Sequence, residues 1–271
     1  RLIIFYSILP QFMSKNQNLL MITIEEAIRI ISGTVRDFGT EEAPLDEAIG
    51  RVLREPLQTD RPLPPYHRVT MDGIAIRYAT FARGQRRFRV QGLAAAGAPQ
   101  QSLTDPAACL EVMTGSMLPQ GADTVIRYED LQLDNGSATI ELDALTEGQN
   151  IHRKGIDRSE GELVARPGVL LSPAEIGLAA TIGKARLRVS RRPRTIIIST
   201  GDELVEIDQR PEPHQIRRSN VYRLKATLRE LGIPTDTHHL KDDVEEIRRE
   251  LRQGLQDYEV RILSGGGSKR S

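Results

Sequence analysis

The stretch RTIIISTGDEL, residues 194–204, decides the fold of the C-terminal part of this chain. Its apolar run is continuous rather than alternating, which is typical of a strand buried on both faces of a sheet. Gly201 then permits a turn that other residues resist, and Asp202 and Glu203 follow where the strand ends. The stretch therefore predicts a buried strand whose carboxyl end carries two adjacent carboxylates.

The segments after this strand alternate between helical and strand patterns. Ser219 and Asn220 are expected to cap a first helix, TDTHHL at 235–240 is the next predicted strand, Asp242 is expected to cap a second helix, and VRIL at 260–263 is the third strand. Strand, helix, strand, helix, strand predicts a parallel sheet with right-handed crossovers. Ligands of such sheets bind at the carboxyl ends of the strands.

The first part of the chain combines helical and β-rich patterns. Thr23 and Glu26 form a capping box that opens a predicted amphipathic helix over 23–36, and PLDEAIGRVL at 44–53 predicts a shorter second helix. Short alternating segments over 87–145 indicate strands. A further helix is predicted over 173–182.

These patterns predict a multidomain α+β protein. An extended helical linker domain is formed by residues 21–60 and 148–190, and residues 61–147 are a β-rich module inserted within it. Residues 191–271 form an incomplete α/β domain with a parallel sheet. The apolar opening, residues 1–20, is too short to span a bilayer, and we expect a non-native or disordered leader before a start at Met21.

Composition narrows the class of partner. The 37 basic and 37 acidic side chains among 271 residues give no net charge, so nothing favours nucleic acid. Cys109 is the single cysteine, which excludes an internal disulfide, and we expect a cytoplasmic protein that does not enter a membrane.

The strand ends carry the chemistry of a metal-assisted site. Asp202 and Glu203 would repel each other unless a cation held them, and Mg²⁺ prefers such oxygen ligands; the alternative is that Asp202 only caps a helical turn. Asp242 and Asp243 follow another predicted strand, and one of them is expected to do no more than cap a helix. The loop SGGGS at 264–268 can surround a phosphate, although triple glycine is also common in linkers.

Three further loops carry candidate residues in the first part. Asp72 with Gly73 indicates a tight turn that is either functional or an ordinary Asx turn, and Thr114 precedes a glycine after an apolar run. Asp157 has basic neighbours and is either functional or an exposed ion-pair partner. The histidines show no zinc spacing, and the common nucleotide and serine-hydrolase motifs are absent. The residues alone thus indicate an acidic, metal-assisted site for a phosphorylated ligand.

Seven motifs taken in order identify a family resemblance. They are TMDGIAIR, VMTGSMLPQGADTVI, NIHRKGIDRSEGE, SPAEIGLAATIG, ISTGDEL, QIRRSN and ILSGGGS, between Met21 and Ser268. The set resembles the molybdopterin molybdenumtransferases, the MoeA-type enzymes related to the catalytic C-terminal domain of gephyrin. The resemblance implies insertion of molybdate into adenylylated molybdopterin with release of AMP and with Mg²⁺ present.

The resemblance also implies partners and residue roles. It implies an elongated homodimer in which Asp72 and Thr114 act across the interface, molybdopterin adenylyltransferase upstream, and molybdoenzymes or their chaperones downstream. The implied catalytic residues are Asp72, Thr114, Asp157 and Glu203. The implied metal ligands are Asp202, Glu203, Asp242 and Asp243. The implied molybdopterin-binding residues are Ser199, Thr200, Gly201, Asp202, Ser219, Asn220, Ser264, Gly265, Gly266 and Ser268.

Two departures from the family pattern qualify this hypothesis. Arg217 and Arg218 stand where many relatives carry Tyr-Asp, and the sequence given stops at Ser271, before the rest of the family pattern. We therefore expect residues 1–271 by themselves to be inactive. Two rival interpretations are a non-catalytic molybdopterin-binding or scaffold protein and a related domain acting on another nucleotide or sugar phosphate.

Overall fold

A computed structural model describes residues 23–264, with side chains at all of these except 253–255. The predicted leader at 1–20 and the predicted site residues Gly265, Gly266 and Ser268 lie outside the described residues. The described helices are α1 (Ile24–Gly33), α2 (Tyr78–Ala82), α3 (Pro173–Thr181), α4 (Ser219–Glu230) and α5 (Val244–Asp257). The described strands are β1 (Thr40–Pro44), β2 (Leu57–Gln58), β3 (Arg68–Val69), β4 (Gly73–Ile76), β5 (Arg87–Ala94), β6 (Ala108–Val112), β7 (Thr124–Arg127), β8 (Leu131–Asp134), β9 (Ser137–Ile140), β10 (Ile151–His152), β11 (Leu163–Ala165), β12 (Arg186–Ser190), β13 (Thr195–Thr200), β14 (Leu204–Val205), β15 (Ile216–Arg217), β16 (Thr235–Leu240) and β17 (Val260–Ser264).

The chain forms two compact units. The first unit contains the described residues up to Glu55, Gly168–Pro173 and the residues from Arg186 onward. The second unit contains Pro56–Pro167 and Ala174–Ala185. The division predicted from the sequence, with boundaries after residues 60, 147 and 190, stays a prediction.

The first unit is built on the predicted parallel sheet, which the pairing confirms. β13 lies at the centre, with β16 and β17 parallel to it on either side. Ile197 faces α4 and packs with Val221, whereas Ile196 and Ile198 face the opposite side and pack with Ile247 of α5. Because helices cover both faces, every residue of β13 is buried, as its continuous apolar run predicts.

Helix caps agree with the sequence at one helix and differ at two. Thr23 caps α1 as predicted, since its hydroxyl oxygen accepts the Glu26 N–H at 3.2 Å. At α4 the predicted cap by Ser219 and Asn220 is wrong, because Arg218 is the N-cap residue and its side chain makes no capping hydrogen bond. At α5 the cap is Asp243, not Asp242.

The predicted extended helical linker is not confirmed. The helix predicted over 44–53 is wrong, because only a 3₁₀ turn at Leu45–Glu47 forms there. After this turn the backbone bonds to another part of the chain, with the Leu53 N–H donating to the Val169 carbonyl at 2.9 Å. β1 likewise pairs antiparallel with β12, so that Thr40 lies opposite Ser190. These hydrogen-bond partners lie far away in sequence, and the spacing of apolar residues within 44–53 contains no information about them.

The second unit is centred on a mixed six-stranded sheet with the order β7-β4-β6-β5-β9-β8. β5 and β6 are parallel, and the other neighbouring pairs are antiparallel. Alternate residues of β4 enter two cores, with Ile74 and Ile76 packing beside Phe88 on one face and Ala75 beside Val112 on the other. The strands predicted over 87–145 are thus confirmed. Along the described chain, no helix combines the length and the apolar character needed to cross a membrane.

Candidate active site

The strand-end cluster consists of residues 199–203, Asp242 and Ser264 of the first unit. Ser199 pairs in register with His239 of β16 and with Ser264 of β17, so the three strands end together. The chain turns at Gly201, whose φ is +138°. Asp202 and Glu203 follow in this turn and are exposed. Two carboxylates thus lie directly beyond the central buried strand, where the sequence predicts them.

Glu203 lies directly over the glycine that precedes Asp202. A Cβ added to Gly201 would lie 2.5 and 2.7 Å from the two carboxylate oxygens of Glu203. Glycine at this position therefore leaves the space that the Glu203 carboxylate occupies. Because the Gly201 N–H donates to the Leu240 carbonyl at 3.3 Å, the turn is also tied to the end of β16.

The two aspartates after β16 have different surroundings. Asp243 accepts the Glu246 N–H at 2.8 Å and so caps α5. Asp242 instead donates its backbone N–H to Oδ1 of Asp202 at 3.3 Å. Asp242 therefore belongs to the strand-end cluster, whereas the carboxylate of Asp243 is engaged by its own helix.

Ser199 points its hydroxyl at a histidine. The side chain is 1% exposed, and its Oγ lies 3.1 Å from Nδ1 of His239. Its neighbour Thr200 is 9% exposed. The hydroxyl of Ser199 is thus a buried link between β13 and β16.

A short parallel pair, β14 with β15, holds the turn that carries Glu203. The Ile216 N–H donates to the Glu203 carbonyl at 2.8 Å, and the Arg218 N–H donates to the Val205 carbonyl at 3.1 Å. The Arg218 guanidinium is buried and lies 2.8 Å from the carboxylate of Glu206. Ser219 and Asn220 follow at the exposed first turn of α4. One edge of the strand-end cluster is therefore flanked by an ion pair between the buried Arg218 and the partly exposed Glu206.

The strand-end cluster contributes carboxylate oxygens but no preformed metal site. Within residues 23–264, no group of three or more His, Cys, Asp or Glu side chains is arranged to hold a metal ion. Mg²⁺ in nucleotide sites is commonly bound by one or two carboxylates together with water and substrate phosphates. Asp202, Glu203 and Asp242 supply oxygen atoms of that kind.

The second unit contains two pairs of candidate residues, Asp72 with Thr114 and His152 with Asp157. The Thr114 N–H donates to Oδ1 of Asp72 at 2.6 Å. This N–H and the Thr114 hydroxyl both lower the pKa of Asp72, which is therefore ionised at neutral pH. The two motifs MDG and MTG meet here although 42 residues separate Asp72 from Thr114.

Gly73 allows the strand after Asp72 to approach its neighbour closely. A Cβ at this position would overlap the Ile126 carbonyl oxygen of β7 and lie 2.8 Å from the Arg127 Cα. The Tyr128 N–H donates to the Asp72 carbonyl at 3.1 Å at the end of the same pairing. The backbone that carries Asp72 is thus held on two sides, by β7 and by the Thr114 loop.

Asp157 is fixed by a histidine and by the backbone of residues 63–69. Nε2 of His152 lies 2.9 Å from each carboxylate oxygen of Asp157. The Asp157 N–H donates to the Leu63 carbonyl at 3.0 Å. The same backbone segment accepts the Gly115 N–H at the Val69 carbonyl, at 2.9 Å. Residues 63–69 therefore connect the Asp157 loop with the Thr114 loop.

Sequence reasoning did not single out His152, His239 or Arg218 as site residues. The spacing of the histidines indicates only that they do not form a zinc motif. A useful signal was the position of His152 five residues before Asp157 inside the quoted motif NIHRKGID. No comparable local signal exists for His239, because 40 residues separate it from Ser199.

Two family models match this chain. The MoeA N-terminal region (domain I and II) matches residues 22–183, and a probable molybdopterin binding domain matches residues 196–270. A Synechocystis protein named molybdopterin molybdenumtransferase is 41% identical over 251 residues, which are 92% of this chain and 64% of that protein. A Bacillus subtilis protein of the same name is 30% identical over 255 residues, which are 91% of this chain and 59% of that protein. This chain thus spans about three fifths of the length of these relatives.

Solved structures agree with the sequence matches. Two crystal structures of the molybdopterin biosynthesis MoeA protein from Pyrococcus horikoshii are 29% and 26% identical to this chain, with TM-scores of 0.77 and 0.82. The match covers 91% of this chain in both cases, and 64% and 67% of the solved chains. The MoeA N-terminal model matches more than half of the residues of this chain, and the chain therefore belongs to the MoeA family.

Proposed function

We propose that this protein inserts molybdenum from molybdate into adenylylated molybdopterin and releases AMP. The observation that carries the proposal is the pair Asp202 and Glu203, exposed directly beyond the fully buried strand β13 in a chain of the MoeA family. Ligands of parallel α/β sheets bind at this end of the strands. The relatives named molybdopterin molybdenumtransferase support this choice of substrate.

In this proposal carboxylates of the set Asp202, Glu203 and Asp242 would hold Mg²⁺ together with water and substrate phosphates. The ion would supply positive charge against the phosphoanhydride that is cleaved when AMP leaves. Adjacent carboxylates repel each other, and a cation bound by them removes this repulsion. Asp243, which the sequence also suggested as a ligand, is the weaker candidate because its carboxylate accepts the Glu246 N–H.

We assign the phosphates of the substrate to the first turn of α4 and to the strand ends. The N-cap residue of α4 makes no capping hydrogen bond with its side chain, so first-turn N–H groups beside Ser219 and Asn220 are available to an anion. At Ser199 a substrate contact would use the backbone, because the hydroxyl is turned toward His239. Thr200, Gly201 and Ser264 complete the proposed molybdopterin-binding set within the described residues.

The proposal includes a homodimer in which Asp72 and Thr114 act on the substrate held by the strand-end cluster of a second copy, and it keeps Asp157 as a further catalytic residue. The hydrogen bonds from Thr114 support a catalytic role for Asp72, since they keep its carboxylate charged and fixed in direction. We further propose the cytoplasm as its location, molybdopterin adenylyltransferase as the upstream supplier, and molybdoenzymes or their chaperones as the recipients. The domain division into 21–60 with 148–190, 61–147 and 191–271 is retained as part of this proposal.

The test is replacement of Glu203 by glutamine in the full gene product. The amide keeps the size of the side chain but removes its charge, so we expect molybdenum insertion to fall by about 10²- to 10³-fold. Glu147→Gln, at another exposed position, is the control and should leave the rate unchanged. Insertion is measured from purified adenylylated molybdopterin and molybdate, with AMP release followed separately.

The two rival interpretations predict other results. A protein that only binds molybdopterin would retain its affinity in calorimetric titration while neither the parent nor the variant released AMP. A protein for another phosphorylated ligand would bind a nucleotide or sugar phosphate more tightly than molybdopterin. Equal insertion rates for Glu203→Gln and the parent would contradict the proposed site.

A further inference from the structure

The loop after β10 returns on itself so that its first and last parts touch. His152 ends β10, and Asp157 lies five residues later. Nε2 of His152 is equally far, 2.9 Å, from both carboxylate oxygens of Asp157. The two side chains are 32% and 55% exposed, so this contact is at the surface of the second unit rather than in its core. Replacing His152 should therefore leave the fold intact.

Backbone hydrogen bonds fix both ends of this loop independently of the histidine side chain. β10 pairs with β3, which places His152 opposite Arg68. At the other end, the Gly155 N–H donates to the Pro64 carbonyl at 3.0 Å and the Asp157 N–H to the Leu63 carbonyl at 3.0 Å. The backbone positions are thus set, and what remains to be fixed is the direction of the Asp157 carboxylate.

Arg158, the cation next to Asp157 in sequence, is engaged by other groups. The Arg158 guanidinium donates to the Asp157 carbonyl at 3.0 Å and lies 3.3 Å from the carboxylate of Glu162. Lys154 contributes its backbone N–H, which donates to Nδ1 of His67 at 3.2 Å. The carboxylate of Asp157 is instead met by the imidazole of His152, which offers an N–H in either charge state of the ring.

We propose that His152 is a positioning residue that holds the Asp157 carboxylate in its working direction. This inference rests on the proposed function, in which Asp157 acts on the substrate. A hydrogen bond shared between both oxygens restricts rotation of the carboxylate, and small misplacements of a catalytic group can cost about 10²-fold in rate. Loss of the His152 N–H should therefore lower kcat by about 10- to 100-fold and leave KM for either substrate nearly unchanged.

The experiment compares two amides of different reach at one position. In His152→Gln the side-chain NH₂ extends about as far as Nε2, whereas in His152→Asn it stops near the position of Nδ1 and falls short of Asp157. We expect His152→Gln to retain kcat within about threefold and His152→Asn to lose about 10- to 100-fold. His214→Asn, at an exposed histidine elsewhere, is the control and should leave kcat unchanged. Equal losses for the two amides, or no loss in either, would overturn the inference.

Asp157→Asn separates failure of this inference from failure of the proposed function. If Asp157→Asn is inactive and His152→Asn is fully active, the positioning role is wrong while the function stands. If Asp157→Asn is fully active, the assignment of Asp157 fails. Combining His152→Asn with Asp157→Asn should cost no more than Asp157→Asn alone. As a readout without substrate, the Nε2 resonance of His152 in ¹⁵N NMR spectra should shift in Asp157→Asn, and an unchanged resonance would also refute the contact.

Discussion

Replacing Gly73 by alanine should destabilise the second unit by about 3 kcal/mol, because β4 leaves no space for a Cβ at this position. The added atom would overlap the Ile126 carbonyl oxygen and lie 2.8 Å from the Arg127 Cα and from the Ile126 carbonyl carbon. All of these are backbone atoms of β7, the strand that places Arg127 opposite Gly73. No side-chain rotation can relieve the overlap.

The size of the destabilisation follows from the strand that the added carbon must displace. Forcing one extra carbon into a packed site costs about 1–3 kcal/mol. β4 cannot shift toward its other neighbour, because Gly73 is also paired with Val112 of β6. β7 must therefore separate locally, and each hydrogen bond of the ladder lost in this way costs about 1 kcal/mol. The total is about 3 kcal/mol.

The assay is urea unfolding followed by tyrosine fluorescence, since the chain has six tyrosines and no tryptophan. Gly177→Ala in α3 is the matched control in the same unit, because nothing lies within 4 Å of its added Cβ. Alanine in a helix interior should stabilise by about 0.5–1 kcal/mol, so the two glycine variants should shift the midpoint in opposite directions. If the free energy of unfolding of Gly73→Ala lies within about 1 kcal/mol of the parent's value, the reasoning is refuted.

Two further predictions concern single polar contacts. The Arg191 guanidinium and the Arg194 N–H lower the pKa of Glu259 from 4.5 to about 2, so its contribution to stability is present above pH 4.5 and is lost as the pH falls toward 2. Glu259→Gln should therefore flatten the dependence of Tm on pH in this window, and a parallel curve for variant and parent would contradict the ion pair. Asp243→Ala should lower the free energy of unfolding by about 1 kcal/mol, because it removes the cap of α5. Asp242→Ala is the control and should leave amide hydrogen exchange in the first turn of α5 unchanged. Equal losses of exchange protection in the two variants would argue against the cap.

The signals that the sequence carried correctly were local ones. Thr23 and Glu26 are three residues apart, and a capping bond reaches that far in any helix that begins there. The continuous apolar run 196–198 similarly indicates burial on both faces of a sheet without any knowledge of its neighbouring strands. The order of strands and helices after residue 193 then indicated a parallel sheet, because crossover connections of this length favour that topology. The predicted helix over 44–53 failed because its residues bond to 168–171 and to 186–190, which lie far away in sequence.

What the sequence by itself determined is therefore the class of the sheet, the placement of Asp202 and Glu203 beyond its central strand, and the resemblance that led to the family. The tertiary structure alone decided which aspartate caps α5, that the Ser199 hydroxyl meets His239, and that His152 faces Asp157. The physical reason is the range of the forces involved. Periodicity and capping act within one or two turns of the chain, whereas the direction of a side chain depends on neighbours that folding brings from distant segments.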